Sequence, residues 1–136
     1  YKVVTKGEKR GASTITQQLA KNLFLWPERS FLRKAVELYF TLLIEIIIPK
    51  RRILEIYLNT VETSLLTFGV ARASERYYNK PLNKLTKEQA IRIALTLPNP
   101  KARSPKKLNP FLVERISRLK KDIEILKKGD RSGCFL

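Results

Sequence analysis

The sequence predicts an all-α protein. Three observations carry that reading. Apolar residues recur at helical spacing over most of the 136 residues, two S/T-x-x-Q capping boxes mark helix starts, and no stretch alternates with the period of a strand. In the first box, Thr14-Ile-Thr-Gln17, Ser13 or Thr14 caps a helix running to about Phe24, where Trp26-Pro27 ends it. A second helix is expected from Ser30 to Ile48, with Leu32, Val36, Tyr39, Phe40, Leu43 and Ile47 spaced as one buried face. Pro49, suited to a first helical position, opens a third helix over Lys50 to Leu58. Asn59 to Gly69 reads as a loop and Val70 to Tyr78 as a short helix. The second box, Thr86-Lys-Glu-Gln89, starts a helix that stops before Pro98. Pro98 to Pro110 holds four of the seven prolines and reads as an extended connector. A last amphipathic helix is expected from about Phe111 to Lys128, with Leu112, Ile116, Leu119, Ile123 and Leu126 on one side and Gly129 as its stop.

Composition narrows the chemistry. Lys and Arg number 28 against 12 Asp and Glu, a net charge of +16, so the chain will seek an anionic partner: nucleic acid, an acidic membrane surface or a phosphorylated substrate. It contains no histidine, which excludes His-based triads, His general bases and His metal ligands, and leaves acid–base work to Glu, Asp, Lys, Tyr or water. The single cysteine, Cys134, permits no internal disulfide and no cysteine zinc site. The longest apolar stretch, Leu38 to Ile48, carries Glu45 inside it and is well short of the roughly 20 residues of a membrane span. The start at Tyr1 and the tail after Lys128 read as cut or frayed ends, so the chain is expected to be a fragment.

Three segments carry candidate chemistry. Gly11-Ala-Ser-Thr-Ile-Thr-Gln-Gln-Leu-Ala-Lys-Asn22 begins a helix with hydroxyls and amides that compete with the backbone for hydrogen bonds. It is either a polar capped helix or an anion-seeking helix start, with Lys21 one turn beyond Gln17. In Arg33-Lys34-Ala-Val-Glu37, two cations share a helical face with one carboxylate. That trio is either a solvated ion-pair cluster or a grip for pyrophosphate, with the carboxylate handling a proton or a metal ion. Ile53-Leu-Glu-Ile-Tyr-Leu-Asn59 reads as an amphipathic helix end in which Glu55 and Asn59, four apart, can hydrogen-bond.

Together, and in this order and spacing, the three segments resemble signature blocks of the peptidoglycan glycosyltransferases (glycosyltransferase family 51). Trp26-Pro27-Glu28-Arg29-Ser30 and Pro49-Lys-Arg-Arg-Ile53 resemble its monofunctional branch, which has no penicillin-binding transpeptidase domain. Phe68-Gly69-Val70, Arg76-Tyr-Tyr-Asn-Lys80, Leu97-Pro-Asn-Pro100 and Ser104-Pro105 match as weaker blocks. The resemblance implies a lysozyme-like helical domain on the periplasmic face of the bacterial inner membrane, partial over residues 1–128, with a disordered or divergent tail at 129–136 and an anchoring segment outside this chain. It implies transfer of a lipid-pyrophosphate-linked glycan chain to the 4-hydroxyl of a lipid II acceptor, with inversion and loss of undecaprenyl pyrophosphate. By residue-wise carry-over, Ser13, Thr14, Gln18, Lys21 and Asn22 line the cleft, and Arg33 and Lys34 bind donor pyrophosphate. Glu37 is the second glutamate, assisting the leaving group directly or through a divalent cation (Mg or Mn), and Glu55 and Asn59 support the site. No tightly bound cofactor is implied. The implied partners are lipid II and the growing strand, an anionic membrane surface, phosphoglycolipid inhibitors of the moenomycin type and cell-wall synthesis proteins, with no nucleic acid.

Two departures stand out. The family's Glu-Asp-x-x-Phe-x-x-His-x-Gly-type block, whose glutamate deprotonates the acceptor hydroxyl, is absent from this sequence. Leu65 and Leu66 stand where the family usually has glycines and proline before Phe-Gly, and Ala71-Arg72 replaces an acidic-small pair. The expectation is therefore a chain that does not polymerise glycan alone. Two rival readings are a non-catalytic remnant that binds lipid substrate and a basic helical nucleic-acid-binding module. The second is opposed by the lack of a recognition-helix or RNA-binding motif.

Overall fold

The computed structural model describes residues 13–28 and 30–128. The chain divides into two compact units, Tyr1–Ile48 and Pro49–Leu136. Gly11, Arg29, the Gly129 stop and the tail with Cys134 lie outside the described residues.

The first unit is a pair of helices. In α1, Ile15–Phe24, Thr14 is the N-cap: its hydroxyl accepts the Gln17 N–H, while the Gln17 side chain accepts the Thr14 N–H. A cap of this kind is worth about 1 kcal/mol. Helix α2, Phe31–Ile47, starts at Ser30, whose hydroxyl accepts the Arg33 N–H at 3.0 Å. The helices run antiparallel, held at one end by the Thr16 hydroxyl donating to Glu45 at 2.8 Å and at the other by Phe24 stacked on Phe40 at 4.7 Å. Between these ends, Leu19 and Ala20 of α1 are buried, and so are Glu37, Thr41 and Ile44 of α2.

The face of α2 expected to be buried is so only in part: Val36, Phe40 and Leu43 are half-buried. Leu32, Tyr39 and Ile47 are exposed, with Phe31, Leu38, Leu42 and Ile46 beside them. The ten-residue α1 buries only a narrow stripe, Thr16, Leu19 and Ala20. On α2 the small Thr41 is buried together with Glu37 and Ile44, while bulkier residues stay outside.

The second unit is built on α3 (Lys50–Thr60), a hairpin of β1 (Glu62–Ser64) and β2 (Thr67–Phe68), α4 (Val70–Tyr78), a 3-10 turn (Leu82–Lys84), α5 (Lys87–Ala94) and α6 (Pro110–Lys128). Pro49 sits at the N-cap of α3, one residue earlier than expected, and the second capping box opens α5 as expected. Asn59 to Gly69 is not a plain loop: α3 extends to Thr60 and an antiparallel hairpin follows. Strands of three and two residues are too short to leave a period-2 trace in the sequence. The stretch from Pro98 to Pro110 is a series of turns, not an extended connector. Proline fixes its own φ but leaves Asn99 free to accept N–H bonds from Ala102 and Arg103.

Two clusters hold the unit. Ile91, Leu95, Leu112 and Ile116 bury between α5 and α6, with Leu108, Leu119 and Ile123 packed against them, which confirms the expected face of α6 except at exposed Leu126. Lys87–Glu124 and Lys120–Glu88, both 2.7 Å, bridge the same two helices at the surface. Beside the hairpin, Thr63 and Thr96 are fully buried: the Thr96 hydroxyl engages the Thr63 and Ile93 carbonyls, and the Thr63 hydroxyl donates to the Thr67 carbonyl at 3.0 Å. Helix α4 ends on Asn79 in the left-handed conformation, a standard C-terminal stop.

Gly69 joins the hairpin to α4 at φ +80°, and a Cβ there would meet the Asn59 carbonyl oxygen at 2.6 Å. Gly69→Ala is therefore expected to destabilise the fold by about 1–3 kcal/mol, read by urea unfolding. A second expectation concerns acid. Lys120, then Arg92, hold the Glu88 carboxyl below its usual range. A depressed folded value contributes stability above the ordinary carboxylate value of about 4.3 and loses it as pH falls through the folded value. Glu88→Gln should flatten the loss of thermal stability below about pH 4.3 and leave stability at pH 7 slightly reduced.

Candidate active site

A helix N-terminus is electropositive, and stable helices usually place acids in the first turn. Helix α2 does the reverse. Its first turn holds no acid, and Arg33 and Lys34 sit there instead, adding two cations to the positive end of the helix dipole. The acid that answers them, Glu37, lies on their C-terminal side, the less favourable order for a helical ion pair. Local preference is contradicted here, which is common where function overrides stability.

Glu37 is 3% exposed. A carboxylate buried that deeply needs cationic or hydrogen-bonding partners. Arg33 Nη1 lies 3.3 Å from its Oε2, and the Lys34 ammonium hydrogen-bonds its Oε1. The two cations differ in setting: the Arg33 side chain is nearly buried, whereas the Lys34 side chain is 56% exposed. Arg33 Nε is buried and makes no hydrogen bond. The expected shared face is therefore formed, and it presents a fixed guanidinium and a movable ammonium over a buried counter-charge.

The polar start of α1 is arranged differently. The Thr14 hydroxyl is occupied by its cap, and Gln18 Nε2 donates to the Ser13 carbonyl at 3.3 Å. Lys21 and Asn22 are exposed on the last turns of α1. Thr16 binds Glu45, eight residues or about 12 Å along α2 from Glu37. The start of α1 thus lies toward the end of α2 opposite the Arg33–Lys34–Glu37 trio. Glu45 was legible beforehand only as a lone carboxylate inside an apolar run; its partner, 29 positions away, was not.

In the second unit, Asn59 Nδ2 donates to the backbone carbonyl of Glu55 at 2.9 Å, not to its carboxylate. The Glu55 carboxylate pairs with Arg52 at 2.8 Å, with both side chains exposed. Tyr57, buried between them on the inner face of α3, has its hydroxyl pushed up in pKa by desolvation. Among the described residues, no group of three His, Cys, Asp or Glu side chains is placed to hold a metal ion, and no helix is long and apolar enough to cross a membrane.

Comparison with known proteins identifies the family. The pattern of the family described as Transglycosylase matches residues 1–124. The biosynthetic peptidoglycan transglycosylase of Rhodospirillum centenum is 42% identical over 130 residues, covering 96% of this chain and 56% of its own length. That of Shewanella frigidimarina is 46% identical over 120 residues, 88% of this chain and 53% of its own. That of Shewanella oneidensis is 54% identical over 96 residues, 70% of this chain and 41% of its own. The chain thus spans about half the length of the curated relatives it matches. The mostly helical architecture accords with the lysozyme-like fold that the sequence resemblance implies. With a match that runs through both units and relatives this similar, the chain belongs to the transglycosylase family.

Proposed function

We propose that this protein serves peptidoglycan glycosyltransfer, and that the first turns of α2 receive the pyrophosphate of a lipid-linked glycan donor. The observation that carries the reading is the pairing of Arg33 and Lys34 at a helix N-terminus over a buried Glu37. The names of the relatives supply the product class, peptidoglycan; lipid II and the growing strand as substrates follow from the sequence resemblance. In the reaction, the acceptor 4-hydroxyl attacks the anomeric carbon of the donor chain, and the bond from that carbon to the pyrophosphate oxygen breaks. Negative charge then grows on the leaving oxygen. Preplaced cations facing that charge lower the barrier, and each charge-assisted contact is worth about 1.5–3 kcal/mol. The proton of the attacking hydroxyl goes to a base that none of these three residues supplies.

Arg33 fits as the fixed contact, because Glu37 holds one arm of its guanidinium and its buried Nε is unused. Lys34 fits as the mobile contact, able to swing from Glu37 to a phosphate oxygen. Lys21 and Asn22, exposed on α1, are assigned to the donor or acceptor sugars, with Ser13, Thr14 and Gln18 shaping the helix start. Glu55 and Asn59, on α3, are assigned a supporting role.

The divalent cation expected at Glu37 would compete with Lys34 for the carboxylate. Both carboxylate oxygens already face cations, so a metal would have to displace the Lys34 ammonium. Glu37 is better read as the counter-charge that keeps two like charges together until substrate arrives. The remaining partners, a moenomycin-type phosphoglycolipid, an anionic membrane surface and cell-wall synthesis proteins, follow from the same reading. The site of action is the cell envelope, at the periplasmic face of the inner membrane.

Binding of a moenomycin-type phosphoglycolipid to the 136-residue chain in detergent tests this. Lys34→Ala should weaken binding by roughly tenfold or more, with or without magnesium. Glu37→Gln should melt at lower temperature than wild type yet gain more stability from the ligand, because the bound phosphate replaces the lost counter-charge. Equal affinity for wild type and Lys34→Ala, or an identical ligand shift for wild type and Glu37→Gln, would show the trio to be only an internal ion-pair cluster.

A further inference from the structure

We infer that the tip of the β1–β2 hairpin is a lipid-inserting wedge, which sinks Leu65 and Leu66 among the acyl chains of an anionic membrane. The choice of a membrane as occupant rests on the cell-envelope reading above; the shape of the wedge does not.

Leu65 is 58% and Leu66 79% exposed, and Phe68, beside them on β2, is exposed as well. Three large apolar side chains on so small a hairpin are an unusual exposed patch, of the kind that marks a binding surface. The backbone adds a second, independent sign. Leu66 has φ +57°, a conformation that glycine or asparagine adopts at a turn and that a leucine resists. Strain of this sort persists only where neighbouring structure enforces it, and it concentrates at functional positions.

Here the enforcing structure is explicit. Arg76 of α4 donates to the Leu65 carbonyl at 3.3 Å and to the Thr67 hydroxyl. The Thr67 hydroxyl also lies 3.4 Å from the Leu65 carbonyl, and the Thr63 hydroxyl ties the Thr67 carbonyl from below. The tip is therefore a stapled turn with two exposed leucines and a hydrogen-bonded polar base. A stapled apolar tip enters lipid with little further loss of chain freedom.

Charge selects the occupant. Arg72 lies one turn before Arg76 on α4, and both are exposed. Arg76 uses one terminal nitrogen on the hairpin, which leaves its other donors for lipid phosphates. Two leucines ahead of two arginines match the layering of a bilayer, acyl chains beneath anionic headgroups, and the chain's net charge of +16 draws it to such a surface.

The test uses the whole chain. With Trp26 changed to Phe, Leu65→Trp places the only indole at the tip. On vesicles of phosphatidylglycerol and phosphatidylcholine, its emission should shift to the blue, and lipids brominated on the acyl chains should quench it. Leu65→Ser/Leu66→Ser should reduce partitioning onto the same vesicles by roughly tenfold or more, from the loss of two buried leucines. The double variant should melt no lower than wild type and keep the phosphoglycolipid affinity measured in detergent. An indole that stays unshifted while the chain binds vesicles would overturn the wedge and leave the pyrophosphate reading intact, as would unchanged partitioning of the double variant. Unchanged phosphoglycolipid affinity in Lys34→Ala, with a blue-shifted and quenched indole at the tip, would mark the opposite division: the wedge stands and the pyrophosphate reading fails.

Discussion

A buried carboxylate between two cations is the constraint on which the first unit turns. Glu37 is buried on α2 in line with Thr41 and Ile44. Neutralising it there requires Arg33 and Lys34 on the preceding turn. That requirement accounts for several features at once. It explains cations in a helix turn where acids are favoured, and it explains why Ser30, by capping at Arg33, fixes the start of α2. It also bears on the large apolar side chains left outside: the stripe given to Glu37, Thr41 and Ile44 is a stripe Leu32, Tyr39 and Ile47 cannot occupy. Breaking a buried pair by removing one partner typically costs about 3–5 kcal/mol, whereas the intact pair adds little net stability. An arrangement so weakly rewarded as structure is easier to understand as a prepared charge pattern.

The second unit solves a different problem, holding a short hairpin without a sheet around it. An isolated two-stranded hairpin is marginal in water. Thr63, Thr67 and Thr96 supply internal hydrogen bonds at its base, Arg76 fastens the turn, and Gly69 lets the chain pass close to the Asn59 carbonyl before α4 begins. The packed pair α5 and α6 stands beside this, closed by Ile91, Leu95, Leu112 and Ile116. The residues that depart from the family pattern, Leu65 and Leu66, fall where a leucine takes the left-handed backbone conformation.

Much of this was legible in advance, for local reasons. Both capping boxes formed because a Thr and a Gln three apart satisfy each other's backbone wherever they meet. Val70 to Tyr78 was bounded by Gly69 and Asn79, two residues suited to helix ends. Arg33, Lys34 and Glu37 were placed on one face by helical spacing alone. What escaped was whatever depends on a partner far along the chain. The inward stripe of α2 is chosen by α1, and Thr16 meets Glu45 across 29 positions. Asn59 chose the Glu55 carbonyl over its carboxylate because Arg52 holds the latter. The hairpin was too short for periodicity, and the proline-rich stretch turned because of asparagine and backbone bonds that proline content does not reveal.

The claim at the centre is that pyrophosphate binds at the start of α2 and not at the polar start of α1. Nitrogen-15 NMR of the chain, titrated with a short-chain prenyl pyrophosphate, reads this directly. The account predicts that the Arg33 Nε–H and Lys34 Nζ resonances move in step with saturation, while the backbone amides of Ser13 to Gln18 hold still. The uncharged prenol should move neither. Shifts confined to the amides of Ser13 to Gln18, with Arg33 and Lys34 unchanged, would contradict it.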